Sequence, residues 1–399
     1  MQVVIMRYLS IFFIFLMYFF SDVQAQKIIA IVLDDKGIPI PYATVFNSKT
    51  NLGVITNEEG KFKLNAEPND NIIINCLGYQ EYISVAEQLQ NIGIAVLKEK
   101  IFNINEVIIT PYSIDLISIV KKFRARIQQN YPKHPIVING IYKEYALVEN
   151  EYYGFIQCNL DIFINSISSF SRPTIKTRVH DYLLFRNSNR DNTEMIVTED
   201  HLKSFWLFGY SFLWNFKEYQ HSIMGYIIYN GSRLIKIKIY PKKIDNYETQ
   251  IEGIMYIDLK SYALIYLQYE LLPNKKDFSE FKGRWQKPVK GETKIMFEFI
   301  NGYFYPVYVI SNQTSRGIVS DWEIKPNNKD TINIDFVYNF FSKNVEYKPK
   351  SFYVDGYSFD DLFRKAENTI FDQSKDYKSD FILETEQEKR LLQPYKEKK

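Results

Sequence analysis

The chain has 399 residues, with 49 Lys and Arg against 47 Asp and Glu and a formal net charge of +2. Without a clustered basic excess to neutralise phosphates, it is not expected to bind nucleic acid. Aromatic residues make up 16%, with 31 Tyr and 30 Phe against 16 Gly. Such side chains suit pleated, half-buried surfaces, so a mainly β protein is expected.

The N-terminal run MQVVIMRYLSIFFIFLMYFFSDVQAQK carries one positive charge at Arg7, an apolar stretch from Tyr8 to Phe20 and a small residue at Ala25. This is the pattern of a secretory signal over residues 1–25, cut between Ala25 and Gln26. A spanning helix needs about 20 apolar residues, more than this run offers. The mature chain is therefore expected to be exported, periplasmic or outer-membrane-associated, with no transmembrane helix. The two cysteines, Cys76 and Cys158, are too few for a disulfide framework and lie in apolar, strand-like runs. Two buried free thiols are expected.

From Lys27 to Glu99 short runs such as KIIAIVL, YATVFN, KFKL, NIIINCL and EYISV alternate with turn clusters such as DDKGIP, SKTN, EPND and LGYQ. Short strands with regular turn punctuation read as a small β-sandwich over residues 26–110. The stretch TNEEGKF, Thr56 to Phe62, places two carboxylates beside a glycine. With Gly60 in the glycine slot of a calcium loop, the first and twelfth ligand positions fall on Ile55 and Ala66, which cannot bind the ion. Gly53 and Gly60 are too far apart for a phosphate loop. The stretch reads as a hairpin tip, with Gly60 supplying positive φ.

Residues 111–132 form a linker helix in this reading. Leu116, Val120, Phe123 and Ile127 make one apolar stripe, Ser113 is the expected N-cap and Pro132 the stop. The basic side chains Lys121, Lys122, Arg124 and Arg126 form a solvated face. Over residues 133–350 longer, more aromatic strands return. Asn230-Gly231 and Asn301-Gly302 are two-residue hairpin signals between apolar runs, and Asp258 to Ser261 turns another pair. One extensive antiparallel sheet is expected. Residues 351–399 read as a short helix, FDDLFRKAENTIF, and a charged tail that frays.

Chemistry is harder to find. His134, His180, His201 and His221 stand singly, without the spacing of a zinc site. Gly209-Tyr210-Ser211-Phe212-Leu213 lacks the second glycine of a nucleophile elbow. No catalytic residue, metal ligand or cofactor is assigned. The apolar patch HLKSFWLFGYSFLWNF, His201 to Phe216, reads as a helix or lid, and Phe205, Trp206 and Trp214 are candidate walls of an apolar ligand pocket. They read more readily as core.

Asp34, Gly37, Pro39 to Val45, Gly53, Thr56 to Phe62 and Leu77-Gly78-Tyr79, within the run from Ala30 to Glu106, resemble the carboxypeptidase-regulatory-like domain of exported Bacteroidetes proteins. The segment from Leu97 to Thr110 resembles the linker such domains carry in outer-membrane receptors. The resemblance implies a transthyretin-like β-sandwich. It departs from the receptors after Pro111, where no plug or long barrel follows, and it carries no peptidase zinc motif. The remainder is similar to two-part exported proteins with this domain, through Tyr142-Lys143-Glu144, Tyr256-Ile257-Asp258 and Phe304-Tyr305-Pro306. Those blocks are weakly similar to the curved sheet of periplasmic lipoprotein carriers. The leading expectation is a non-catalytic accessory or binding protein of the Gram-negative envelope, its partner an envelope protein. The alternatives are a carrier of an acyl chain or other apolar ligand, and an enzyme of unrecognised type.

Overall fold

The computed structural model describes residues 26–50, 52–99, 115–148, 151–168, 173–186, 211–244, 250–272, 279–281, 284–317, 332–347, 371–374 and 384–396. The fold is mainly β, in two compact units: Met1–Ile101 with Ser379–Lys389, and Phe102–Lys378 with Arg390–Lys399.

The first unit contains β1 (Gln26–Asp34), β2 (Thr44–Asn47), β3 (Gly53–Ile55), β4 (Lys61–Ala66), β5 (Asn71–Asn75), β6 (Tyr82–Val85), α1 (Ala86–Ile92) and β7 (Ile94–Leu97). The strands form two sheets, ordered β4-β1-β7 and β3-β2-β5-β6. Period-two alternation sends Ile28, Ala30 and Val32 of β1 inward with Phe62 and Leu64 of β4. They meet Val45, Ile72 and Ile74 of the other sheet in one core, which makes a β-sandwich. α1 was not expected from the sequence. At seven residues it is too short for its periodicity to show, yet it buries Ala86 and Leu89 and ends on Gly93 at φ 70.

TNEEGKF is a turn but not a hairpin tip. β3 pairs with β2, whereas β4 pairs with β1 in the other sheet, so the stretch carries the chain from one sheet to the other. The crossing is anchored inside. Thr56 and Asn57 are fully buried. Thr56 Oγ1 accepts from the Ala43 N–H and donates to the Ile40 carbonyl, both at 2.8 Å. Asn57 Oδ1 accepts from the N–H groups of Glu59 at 3.0 Å and Lys61 at 2.9 Å. Gly60 has φ +73, and a Cβ there would lie 2.6 Å from the Val32 carbonyl oxygen. Both backbone conformation and close approach demand glycine.

The second unit begins, among the described residues, with α2 (Leu116–Asn130). β8 (Ile136–Val148), β9 (Glu151–Ile164) and β10 (Ile175–Arg186) follow, then a 3-10 turn at Ser211–Leu213. The remaining strands are β11 (Tyr219–Tyr229), β12 (Ser232–Pro241), β13 (Ile251–Asp258), β14 (Leu264–Leu271), β15 (Ser279–Phe281), β16 (Arg284–Ile300), β17 (Tyr303–Gly317), β18 (Ile332–Tyr347) and β19 (Phe371–Gln373). They form one antiparallel sheet ordered β11-β12-β13-β14-β16-β17-β18-β8-β9-β10-β19, with β15 on β16. Asn230 and Gly231 have φ 46 and 74, and Asn301 and Gly302 have φ 49 and 96. They close two-residue loops between Tyr229 and Ser232 and between Ile300 and Tyr303. Positive φ at both positions matches the strand twist, and Asn-Gly tolerates it.

α2 packs on the apolar face of this sheet. Ile119, Val120, Phe123 and Ile127 are buried. Ile119 joins the stripe, while Leu116 at the helix start stays partly exposed. The N-cap is Asp115; Ser113 and the Thr110-Pro111 join lie outside the described residues. The basic face is only partly solvated. Lys122 and Arg126 each lie 5.0 Å from the Tyr262 ring centroid, and Arg124 lies 5.3 Å from that of Trp214. Asn130 Nδ2 and Arg126 Nη1 donate to the Ser261 carbonyl at the β13–β14 turn.

The charged tail is likewise ordered, as α3 (Glu386–Lys396). Thr385 and Glu388 form a capping box: Glu388 N–H donates to Thr385 Oγ1 at 3.2 Å, and Thr385 N–H to Glu388 Oε2 at 2.9 Å. Residues 351–370, which include most of the helix expected after Ser358, lie outside the described residues; Phe371–Gln373 is strand.

Candidate functional site

Of the expected pocket walls, Phe205 and Trp206 lie outside the described residues, as does Ala25; Gln26 is the first residue of β1. Trp214 follows the 3-10 turn, half-buried, with its ring 6.2 Å from that of Phe123 on α2. Beside it Phe212 and Leu213 are buried, Phe212 against Tyr269 at 5.5 Å. His221 lies against Phe216, with Nε2 3.2 Å from the Leu213 carbonyl. Burial holds its imidazole below the usual range. Tyr131, fully buried after α2, stacks edge-on against Phe297 at 5.4 Å and donates to the Leu264 carbonyl at 2.7 Å. In the described part of the lid segment, Phe212 and Leu213 are thus buried and Trp214 is half-buried against Phe123.

The opposite face of β12, β13, β14 and β16 is of another kind. Ile235, Ile237 and Ile239 point into the apolar interior, so Lys236, Lys238 and Tyr240 point the other way. Register places Lys236 opposite Tyr256, Tyr256 opposite Tyr266, and Gln268 opposite Lys294. Lys236 lies 5.7 Å from the Tyr256 ring centroid, and Lys238 5.5 Å from that of Tyr240. Tyr256 and Tyr266 meet edge to face at 5.7 Å. Tyr266 OH donates to Gln268 Oε1 at 3.2 Å, and Gln268 Nε2 to Glu292 Oε1 at 2.7 Å. Glu292 pairs with Lys294 at 2.9 Å and Glu252 with Lys238 at 3.5 Å, all four side chains 21–43% exposed. Four adjacent strands thus hold tyrosines, lysines and carboxylates in one ladder, half-exposed at Lys236, Lys238, Tyr240 and Tyr256 and buried at Tyr266.

A second polar group was missed because its members are far apart in sequence. A β-bulge between Val179 and Asp181 sets His180 out of register. His180 Nε2 lies 3.1 Å from Asp161 Oδ1, which also accepts from Asn139 Nδ2 at 2.9 Å. Arg178 Nη2 donates to Asp161 Oδ2 at 2.5 Å. Burial pushes the Asp161 carboxyl up, but these donors together hold it below the ordinary range. It is a fixed anion tying β8, β9 and β10 together rather than a proton carrier. The signal lay in Asn159-Leu160-Asp161, where polar residues alternate with buried apolar ones. Further along, Lys143 is fully buried, with Asn339 and Gln157 opposite it in register. The block Tyr142-Lys143-Glu144 lies on β8, where Tyr142 OH donates to Glu144 Oε2. The other two blocks lie on β13 and β17 of the same sheet.

Cys158 is buried in β9, and Cys76 packs against the core of the sandwich. Burial pushes the Cys76 thiol up to about 12, so neither its position nor its acidity suits a nucleophile. Among the described residues no group of three or more His, Cys, Asp or Glu is placed to hold a metal ion. No described helix is long and apolar enough to cross a membrane.

No curated protein matches the chain. Among solved structures, an outer membrane lipoprotein-sorting protein domain from Vibrio parahaemolyticus aligns at 9% identity and a TM-score of 0.26, covering 59% of this chain and 93% of that one. A LolA superfamily protein from Nitrosomonas europaea aligns at 8% identity and 0.23, covering 59% and 94%. Pseudomonas aeruginosa MucA/MucB gives 7% and 0.17, covering 56% and 92%. Scores this low do not establish a shared fold. The family model of the CarboxypepD_reg-like domain matches residues 31–109, the stretch that holds the end of β1, β2 to β7 and the buried Thr56-Asn57 crossover. The N-terminal part of this chain is a CarboxypepD_reg-like domain.

Proposed function

We propose that the chain is a non-catalytic binding protein exported to the Gram-negative cell envelope, in which the CarboxypepD_reg-like domain accompanies a sheet that takes a protein partner. The observation that carries this reading is the ladder on β12, β13, β14 and β16. Tyrosines offer large contact area at little conformational cost, and they sit here among paired charges on rigid strands. The aromatic packing of Phe123, Tyr131, Phe297 and Trp214 under α2 favours this reading over an acyl-chain carrier. Export rests on the charged, apolar and small-residue pattern of residues 1–25, with the cut expected before Gln26.

The test is site-specific photo-crosslinking in cells. A crosslinker at Tyr256 or Lys238 should capture one recurrent envelope protein, and Tyr256→Ala with Lys236→Ala should abolish capture from Lys238. Equal capture from Val289, which is exposed outside the ladder, would sink the reading. Mass spectrometry of the mature N-terminus tests export. A chain beginning at Gln26 is expected, and intact Met1 on a membrane-embedded protein would contradict it.

A further inference from the structure

We propose that the Asn57–Gly60 turn of the first unit is a receiving site for a helix N-terminus, and that its resident occupant is the first turn of α3, held reversibly. A helix leaves its first four N–H groups without intrahelical acceptors and carries partial positive charge at that end. The capping box of Thr385 and Glu388 serves two donors at the start of α3. The Glu386 N–H is met from outside the helix, by Glu59 Oε1 at 3.0 Å. Glu59 Oε2 pairs with Lys61 at 3.0 Å, and Lys61 in turn pairs with Glu386 Oε1 at 3.3 Å. Glu386 is also paired with Lys389 at 2.9 Å. A carboxylate and an ammonium on the turn thus read an N–H and a carboxylate on the helix.

The receiving side is built in advance. Asn57 Oδ1 fixes the N–H groups of Glu59 and Lys61, and Gly60 is locked by its φ and its approach to Val32. The contact itself is exposed, with Glu59, Lys61 and Glu386 side chains 32%, 35% and 50% accessible. Exposed pairs are weak and screened by salt, so the occupant leaves the turn without unfolding the sandwich.

Residue-resolved hydrogen exchange on the full chain tests this. In Glu59→Ala the Glu386 amide should exchange roughly five-fold faster, the effect of losing one such contact, and 1 M salt should speed it similarly in the unaltered chain. Glu58→Ala is the control, since Glu58 is in the same turn but meets Tyr42; it should leave the Glu386 amide unchanged. Unaltered exchange in Glu59→Ala would overturn the proposal. So would an equal response to both variants, or faster exchange spread through β1 and β4, because either would assign the effect to folding of the turn itself.

Discussion

The two units bury β-strands in opposite ways. In the sandwich, β2 pairs with β3 and β5 with β6, but the chain changes sheet at each of the other steps: β3 and β4 lie in different sheets, and β1 pairs with β4 on one side and runs parallel to β7 on the other. In the large sheet, chain neighbours mostly pair, as β8 with β9, β11 with β12, β12 with β13 and β16 with β17. Two small sheets cover each other, whereas one broad sheet needs α2 on its apolar face. The Thr56-Asn57 turn is an interior fixture of the first unit, whereas the Asn230-Gly231 loop of the second lies exposed at the surface.

The four tryptophans, Trp206, Trp214, Trp285 and Trp322, all belong to the second unit, so fluorescence separates the two. The largest effect should come from Phe123→Asp, which puts a charge where a fully buried ring now meets Trp214. A loss of about 4–5 kcal/mol is expected in the tryptophan-detected transition. An unmoved transition would mean that α2 is dispensable to the sheet.

Next is the contrast between two glycines at nearly equal φ. Gly60→Val should cost about 3 kcal/mol, adding a clash with Val32 to the conformational strain. It should move circular dichroism and spare the tryptophan signal. Gly231→Ala has nothing within 4 Å of its Cβ and should cost only about 1 kcal/mol. Equal costs would erase the distinction between crossover and hairpin.

Between these falls Asp161→Ala, at about 2 kcal/mol, because three donors lose their acceptor. The Asp161 carboxyl titrates lower in the fold than in the unfolded chain, so its contribution is present above the ordinary carboxylate range and is lost as pH falls through the lowered folded value. The variant should show less acid sensitivity in that window, and an unchanged acid limb would remove Asp161 from the account. Smallest is Glu58→Ser with Glu59→Ser, about half a kcal/mol. A calcium-dependent melting shift lost in Glu59→Ala would restore the metal-loop reading.

Legibility followed the same division. Asn230-Gly231 and Asn301-Gly302 announce their hairpins because turn chemistry is local, and the stripe of α2 shows because fifteen residues suffice for a period. TNEEGKF misled because nothing local says which sheet receives the next strand. The capping box Thr385-Glu386-Gln387-Glu388 was readable, but the surrounding charge suggested fraying. The Asp161 group joins Asn139, Arg178 and His180 from three strands and depends on a bulge that composition does not encode. The ladder was visible only as alternation until register aligned its tyrosines and lysines.

The pairing of β18 with β8 has a consequence in time. Ile136 at the start of β8 lies opposite Tyr347 at the end of β18, so one strand from late in the chain stitches the β8–β10 meander to the meander that ends in β17. Local hairpins close early, but this joint pairs strands far apart in sequence and is intrinsically slow. Synthesis must pass β18 before the sheet can be completed. Until then β8, with its buried Lys143, Tyr142 and Glu144, lacks the neighbour it has in the fold. Such a chain stays incompletely folded for most of its synthesis.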